Sequence, residues 1–245
     1  MFKKQLNTWW RDFKHIPKID QSWLTTWLII YIAFIMLDVL TPGFWGSALL
    51  KYAGIFLCVI YAYKKYHDDN KLIIALFLTL LADTILVWTD FYTIGVFVFC
   101  FAQFMHFLRI TKMNKKTIGA FALIISLLTI YSAFCGYEII YSLGTLYGLL
   151  LISNVVMASR RYRIEQKDFK ARCGWYGFIL FIACDTCVAL RYMMLHGIIP
   201  AAEALPLIAF LVWIFYYPSQ VLIANSSTHQ ESAKRRNIAK TKAIS

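Results

Sequence analysis

The sequence predicts an all-α membrane protein, a bundle of eight transmembrane helices with both termini cytoplasmic. Three observations predict it. Hydrophobic residues make up 60% of the 245 and the mean hydropathy is +0.60, whereas soluble domains are about 45–50% apolar. Eight apolar runs have about the 17–25 residues a helix needs to cross a bilayer, and none alternates with the period of two of a barrel strand. Lysine and arginine fall in every second connection: five before the first run, three between the second and third, four between the fourth and fifth, six between the sixth and seventh, and five after the eighth. That pattern holds 23 of the 25 basic residues, and by the positive-inside rule it puts those segments in the cytoplasm. The net charge of +12 is thus assigned to one membrane face and requires no nucleic-acid partner.

Residues 1–22 carry Phe2, Leu6, Trp9, Trp10 and Phe13 at helical spacing, with Lys3, Lys4, Arg11 and Lys14 between them. They read as a short interfacial helix on the cytoplasmic surface, or as a basic leader. The transmembrane domain, residues 23–225, follows. Its spans are Trp23–Leu40, Ser47–Tyr63, Lys71–Trp88, Ile94–Ile110, Ile118–Phe134, Ile139–Met157, Tyr176–Met194 and Leu205–Ile223. The first has no small-residue cleavage site after it and reads as a retained signal-anchor. The basic loop Ser159–Trp175 is expected to lie on the anionic inner leaflet. Pro218 is expected to kink the last span, and residues 226–245 form a polar, basic tail expected to be disordered.

Two spans contain a carboxylate, Asp83 in KLIIALFLTLLADTILVW and Asp185 in YGFILFIACDTCVAL. A charged group at a helix centre in hydrocarbon costs roughly 2.5–3.5 kcal/mol even on lenient scales, so each is by default a functional-site candidate. Counting from the outer ends at 1.5 Å per residue, Asp83 lies roughly 7–8 Å deep and Asp185 about 13 Å. Asp38, Lys51 and Arg191 also fall in the outer half. Snorkelling to the interface suits Asp38 and Arg191 well, Lys51 in part, and the two deeper aspartates poorly.

Other chemistry is thinly represented. Cys184 and Cys187 form a single C-x-x-C on a membrane helix and read as small buried apolar residues. The five histidines are dispersed, and there is neither a G-x-S-x-G elbow nor a glycine-rich phosphate loop, so no metal or cofactor is expected. Gln103 and His106 share the fourth span, with His106 read as interfacial. Tyr147 and Asn154 on the sixth read as hydrogen-bonding between helices.

Lys51 opening the second span, LLADTILV, the stretch GVFVFCFAQFMH, LFIACDTCVAL and the terminal FYYPSQVLIANS occur in an order and spacing that resemble the YhhN family, the lysoplasmalogenase-like eight-helix membrane proteins. The likeness covers roughly Lys51 to Asn225. It departs from the common family pattern at Ala82, Cys184 and Gln103, where glycine, serine and histidine are frequent. The resemblance implies hydrolysis of the vinyl-ether bond of a lysoplasmalogen, releasing a fatty aldehyde and a glycerophospho-base, with Asp83 and Asp185 catalytic. A lysophospholipid substrate, no cofactor and a multi-pass location, expected in a bacterial plasma membrane, go with it. Lys51, Gln103, Tyr147 and Arg191 are the candidate substrate-binding residues; Lys51 could neutralise the aspartate pair or meet the lipid phosphate.

The chemistry suits two carboxyl groups. A vinyl ether hydrolyses by protonation of its outer alkene carbon, giving an oxocarbenium ion that water captures. One carboxylic acid must donate the proton while a carboxylate steadies the cation, the division of labour of two-carboxylate glycosidases. Burial and a like-charged neighbour are the forces that separate such a pair into acid and base. Two other classes fit the same residues: a proton-coupled transporter using the carboxylates as relays, and a non-catalytic lipid-binding protein in which they pair with Lys51 and Arg191.

Overall fold

The structure, a computed structural model, describes residues 21–111 and 138–228, together with scattered helical positions between 119 and 135. The expected fifth span, Ile118–Phe134, falls partly outside the described residues, and the N-terminal segment before Gln21 and the tail after Thr228 fall wholly outside them. The described elements are α1 (Gln21–Leu40), α2 (Trp45–Lys65), α3 (Asn70–Trp88), α4 (Tyr92–Ile110), α5 (Ile139–Ile164), α6 (Phe169–Leu195), a 3-10 turn (Ala202–Ala204) and α7 (Leu205–Ala224). All seven α-helices are long and apolar enough to cross a membrane, and no strand occurs among the described residues. The chain is an integral, multi-pass membrane protein.

Sequential helices pack side by side, and α7 closes back on α2, so α2 to α7 form a ring with α1 outside it against α2 and α7. In that ring α3 and α6 stand opposite one another. The turn from α1 to α2 is made by Gly43, whose φ of 83° suits glycine. Close approach of α6 and α7 depends on Gly177, where a Cβ would lie 2.8 Å from the Ile223 side chain and 3.2 Å from the Ser219 carbonyl oxygen. Small residues at such crossings are how membrane helices gain packing without a hydrophobic driving force between them.

An aromatic core joins α1 and α2 to α7. Trp27, Phe34, Tyr61 and Tyr217 are all buried, with Phe34 edge-on to Tyr217 at 5.3 Å and Trp27 edge-on to Tyr61 at 4.9 Å. Pro218 sits inside α7, which runs on to Ala224. Proline removes the N–H that would bond the carbonyl four residues earlier. That carbonyl, Ile214 O, accepts a hydrogen bond from the Tyr31 hydroxyl at 3.2 Å, so α1 supplies the donor that α7 lacks.

Two expectations at the end of the bundle that carries the basic connections need correction. The loop expected over Ser159–Trp175 is only Glu165–Asp168, because α5 runs to Ile164 and α6 starts at Phe169. At 26 and 27 residues these helices are about 39 and 40 Å long, beyond the roughly 30 Å of hydrocarbon. Their projecting ends are tied by Arg161, which bonds Glu165 Oε2 at 2.9 Å and Asp168 Oδ2 at 3.1 Å.

The tail expected to be disordered from Ser226 is packed as far as Thr228. Arg109 donates to Ser226 O at 3.1 Å and Ser226 Oγ at 3.0 Å, and Arg161 donates to Ser227 O at 3.2 Å. Asp69, which caps α3 through the Leu72 N–H, accepts from Ser227 Oγ at 2.8 Å and from Thr228 N at 2.9 Å. These groups clasp the end of α7 to α3, α4 and α5.

Two outcomes follow. On a cysteine-free background, a cysteine at Thr41 should react with an impermeant thiol reagent added outside intact cells, and one at Gln166 should not; the opposite result would invert the orientation. Burial of Asp69 works against its charge, but Arg109 and the hydrogen bonds from Thr228, Ser227 and Leu72 outweigh that and hold its pKa below the ordinary 3.8. A carboxylate depressed on folding stabilises fully above its unfolded value and loses that contribution as pH falls through the folded one. The difference in Tm between wild type and Asp69→Asn should therefore be constant above about pH 5 and shrink below pH 4; a pH-independent difference would remove the charge from the clasp.

Candidate functional site

Asp83 lies on the inward stripe of α3 with Leu76, Thr79 and Leu80, the i, i+3, i+4, i+7 spacing that puts residues on one helix face. Asp185 extends a similar stripe of α6 through Phe178 and Phe181. Since α3 and α6 oppose each other in the ring, the two carboxyl groups approach from opposite walls, within Coulombic reach of each other. Both are half-buried.

Each aspartate is held by a tyrosine. Tyr216 of α7 donates to Asp83 Oδ2 at 2.5 Å, and Tyr147 of α5 donates to Asp185 Oδ2 at 2.5 Å. The buried Cys184 thiol lies beside Asp185 and within electrostatic range of Asp83. Phe99 and Phe181 complete an aromatic wall between the two tyrosines: Tyr147 to Phe99 at 5.8 Å, Phe99 to Phe181 at 6.5 Å and Phe181 to Tyr216 at 5.6 Å, all edge-on. Among the described residues neither aspartate has an ion-pair partner.

A small cleft reaches Asp83 between α2, α3 and α7, lined also by Ala48, Tyr52, Ile55, Val87, Trp88 and Trp213. Its lining is apolar and aromatic apart from Asp83 and Tyr52, and the Tyr52 hydroxyl shares a 2.7 Å hydrogen bond with Thr84 Oγ1. Ala48 lies near the start of α2 and Trp88 ends α3, so the cleft lies at the end of the bundle that holds the α1–α2 turn.

The remaining candidates divide. Gln103 is wholly buried, accepts from Asn154 Nδ2 at 2.9 Å and lies beside the Tyr147 hydroxyl, so Gln103 and Tyr147 join the Asp185 side of the cluster. Lys51 does not serve the aspartate pair. Its ammonium bonds Asp38 at 2.7 Å and lies 5.0 Å above the Trp213 ring and 5.5 Å above that of Phe34. Asp38, expected to snorkel, takes that ion pair and a hydrogen bond from Ser47. The tight α1–α2 turn makes these neighbours in space. Arg191 lies on an exposed face of α6, outside the cluster. His106, read as interfacial, is wholly buried, edge-on to Phe178 at 5.4 Å.

Tyr216, Cys184 and the cleft residues Tyr52 and Trp213 were not picked out as site residues from sequence. The available signal for Tyr216 was the Tyr-Tyr-Pro-Ser-Gln cluster inside an apolar span.

A membrane-spanning helical ring with two opposed, tyrosine-held carboxyl groups and, among the described residues, no cation paired with them defines a class of polytopic membrane protein with an intramembrane acid pair. The chain belongs to the YhhN family, whose sequence model matches residues 46–227 and so takes in Lys51, both aspartates, both tyrosines and the clasp residues through Ser227. No curated protein and no solved structure matches it.

The Lys51–Asp38 assignment has a direct test. Lys51→Met should leave the half-buried Asp38 carboxylate unpaired and destabilise the protein by about 3 kcal/mol, the low end for breaking a buried pair. Adding Asp38→Leu should restore most of the loss. Rescue by Asp83→Asn instead would return Lys51 to the aspartate pair.

Proposed function

We propose that this protein is a membrane lipid hydrolase that cleaves the vinyl-ether bond of lysoplasmalogens, releasing a fatty aldehyde and a glycerophospho-ethanolamine or -choline. The observation that carries the reading is the opposed pair Asp83 and Asp185, each hydrogen-bonded by a tyrosine and neither ion-paired. Carboxylates that served only to neutralise membrane cations would stand against those cations. Here Lys51 goes to Asp38 and Arg191 faces outward.

Asp83 borders the apolar cleft and is assigned as the acid. Its Oδ2 is held by Tyr216, so the other oxygen is the one to face an alkenyl chain lying in the cleft. Asp83 gives its proton to the outer alkene carbon; the π electrons form that C–H bond and the positive charge is shared between the inner carbon and the ether oxygen. Asp185, steadied by Tyr147, supports the cation across the ring and orients water. Water adds to the cationic carbon and its proton returns to Asp83. The resulting hemiacetal breaks its bond to the glycerol oxygen, which takes the hydroxyl proton as the aldehyde forms.

The test is aldehyde release by purified protein from lysolipids with and without a vinyl ether, followed for wild type, Asp83→Asn and Asp185→Asn. Each variant should keep its Tm, because the amide fills the same space without needing a counter-charge, and lose about 10²–10⁴ in kcat, the usual contribution of acid–base catalysis. The double variant should be scarcely worse than either single one, as for groups acting as a unit. Well-folded single variants with full activity would overturn the assignment.

A further inference from the structure

Besides Asp83, the cleft is lined by one tyrosine, Tyr52. Tyr52 reaches from α2 to α3, where its hydroxyl lies 2.7 Å from Thr84 Oγ1, one residue along the chain from Asp83. That contact alone leaves the donor open, and a second bond decides it. Thr84 Oγ1 also donates to the Leu80 carbonyl oxygen at 2.7 Å. A threonine hydroxyl has one proton, and a carbonyl oxygen can only accept. Both bonds are made together only when Thr84 gives its proton to Leu80 and Tyr52 gives its own to Thr84.

The result is a phenol oxygen whose proton is committed and whose lone pairs are not. Among the described residues its hydrogen bond is to Thr84 alone. The rest of the cleft wall does not compete as an acceptor. Ala48, Ile55 and Val87 have no polar side-chain atom, and the indoles of Trp88 and Trp213 can only donate. Asp83 takes the Tyr216 proton on Oδ2 and, in the proposed reaction, carries its own on the other oxygen. The cleft therefore sets a hydroxyl oriented as an acceptor beside the acid.

The substrate group that fits it must donate and must lie close to the reacting ether. In a lysoplasmalogen, the glycerol carbon next to the one bearing the vinyl ether carries a free hydroxyl. In the acylated parent lipid that oxygen is an ester, with no proton to give.

We propose that Tyr52 is a specificity-determining residue that accepts a hydrogen bond from the free glycerol hydroxyl of the lysolipid, and that Thr84 positions it by taking its proton. The assignment rests on the lysolipid reading above and adds the contact that separates a lysolipid from its acylated parent. A site built to bond a substrate hydroxyl discriminates against an analogue lacking the proton. Such an analogue loses the bond and turns a lone pair toward the Tyr52 oxygen.

The test uses two lipids with no vinyl ether to cleave: a saturated 1-O-alkyl lysophosphocholine, and the same lipid with its hydroxyl methylated, which accepts a hydrogen bond and cannot donate one. Binding of each to the full chain in nanodiscs is measured by displacement of a radiolabelled copy of the first. Wild type should bind the hydroxyl lipid about tenfold more tightly, the upper range for one neutral hydrogen bond. Tyr52→Phe should weaken the hydroxyl lipid to about the level of the methyl ether. Thr84→Val keeps the shape and frees the Tyr52 proton, so it should strengthen methyl-ether binding and close most of the gap. A preference set by the size of the added methyl group would survive Thr84→Val. No binding of the hydroxyl lipid by wild type, equal affinities in wild type, or a gap that either folded variant leaves unchanged would overturn the assignment. If one variant does not fold, the wild-type comparison and the other variant decide. In aldehyde release, Tyr52→Phe should raise KM about tenfold with kcat kept, as for a contact made equally in ground and transition states; an unaltered KM would remove the contact from turnover. Absence of aldehyde release in wild type would instead fall on the hydrolase reading and leave the binding ratios to judge Tyr52.

Discussion

Polar groups within hydrocarbon must find their partners inside the protein, and the placing of two carboxyl groups under that constraint governs how this bundle is built. The obvious solution, an ammonium or guanidinium beside each, is not the one used. Tyr216 and Tyr147 supply neutral donors to Asp83 and Asp185, and Lys51 is held by Asp38 beside the Trp213 ring. A neutral donor fixes a carboxyl group in place without committing it to the ionised form, as a salt bridge would. The requirement extends along α7. Tyr216 turns toward α3 while its neighbour Tyr217, about 100° round the helix, packs on Gly54 and bonds the Trp27 carbonyl of α1 at 3.2 Å. The backbone gap opened by Pro218 is met by Tyr31. The helix that holds the acid is thus itself anchored on its outer face.

Much of this was legible in the chain. Apolar run lengths and the alternation of basic segments gave the helices, and the cost of a carboxylate in hydrocarbon singled out Asp83 and Asp185 without any structural input. Which charge answers which was not legible. Lys51 lies thirteen residues from Asp38 and thirty-two from Asp83, and only the sharpness of the turn at Gly43 decides for Asp38. The tyrosine partners were hidden for a different reason: there are fifteen tyrosines, and a phenol's hydrogen bond depends on helix rotation and neighbour order, neither of which hydropathy encodes. Ser226 to Thr228 read as a polar tail because composition records side chains, whereas their backbone carbonyls and hydroxyls are what Arg109, Arg161 and Asp69 hold.

The two ends of the bundle solve opposite problems. At the end that holds the α1–α2 turn, Lys51 pairs with Asp38 beside the Phe34 and Trp213 rings. At the opposite end, Arg109 and Arg161, two of the basic residues from which the sequence predicts the orientation, donate to the backbone after α7. The basic residues therefore do more than report topology. Two of them join α4 and α5 to the end of α7, and through Asp69 that junction reaches the start of α3, so the helices carrying the acid pair and its tyrosines share a fixed base.

Hydrolysis of a lipid inside a membrane makes two demands that conflict: the site must accept a long apolar chain, and it must admit water. For the function proposed above, the two sides of the acid pair differ in character. The cleft between α2, α3 and α7 is lined by Ile55, Val87, Trp88 and Trp213 and ends at Asp83, while the polar face of α4 with Asn154 of α5 approaches through Gln103 and Tyr147 to Asp185. Under the proposed function the alkenyl chain would come to the Asp83 side. The two aspartates stand in different surroundings, Asp83 against an apolar cleft and Asp185 among Tyr147, Gln103 and Cys184, and unequal surroundings are what divides a carboxyl pair between two roles.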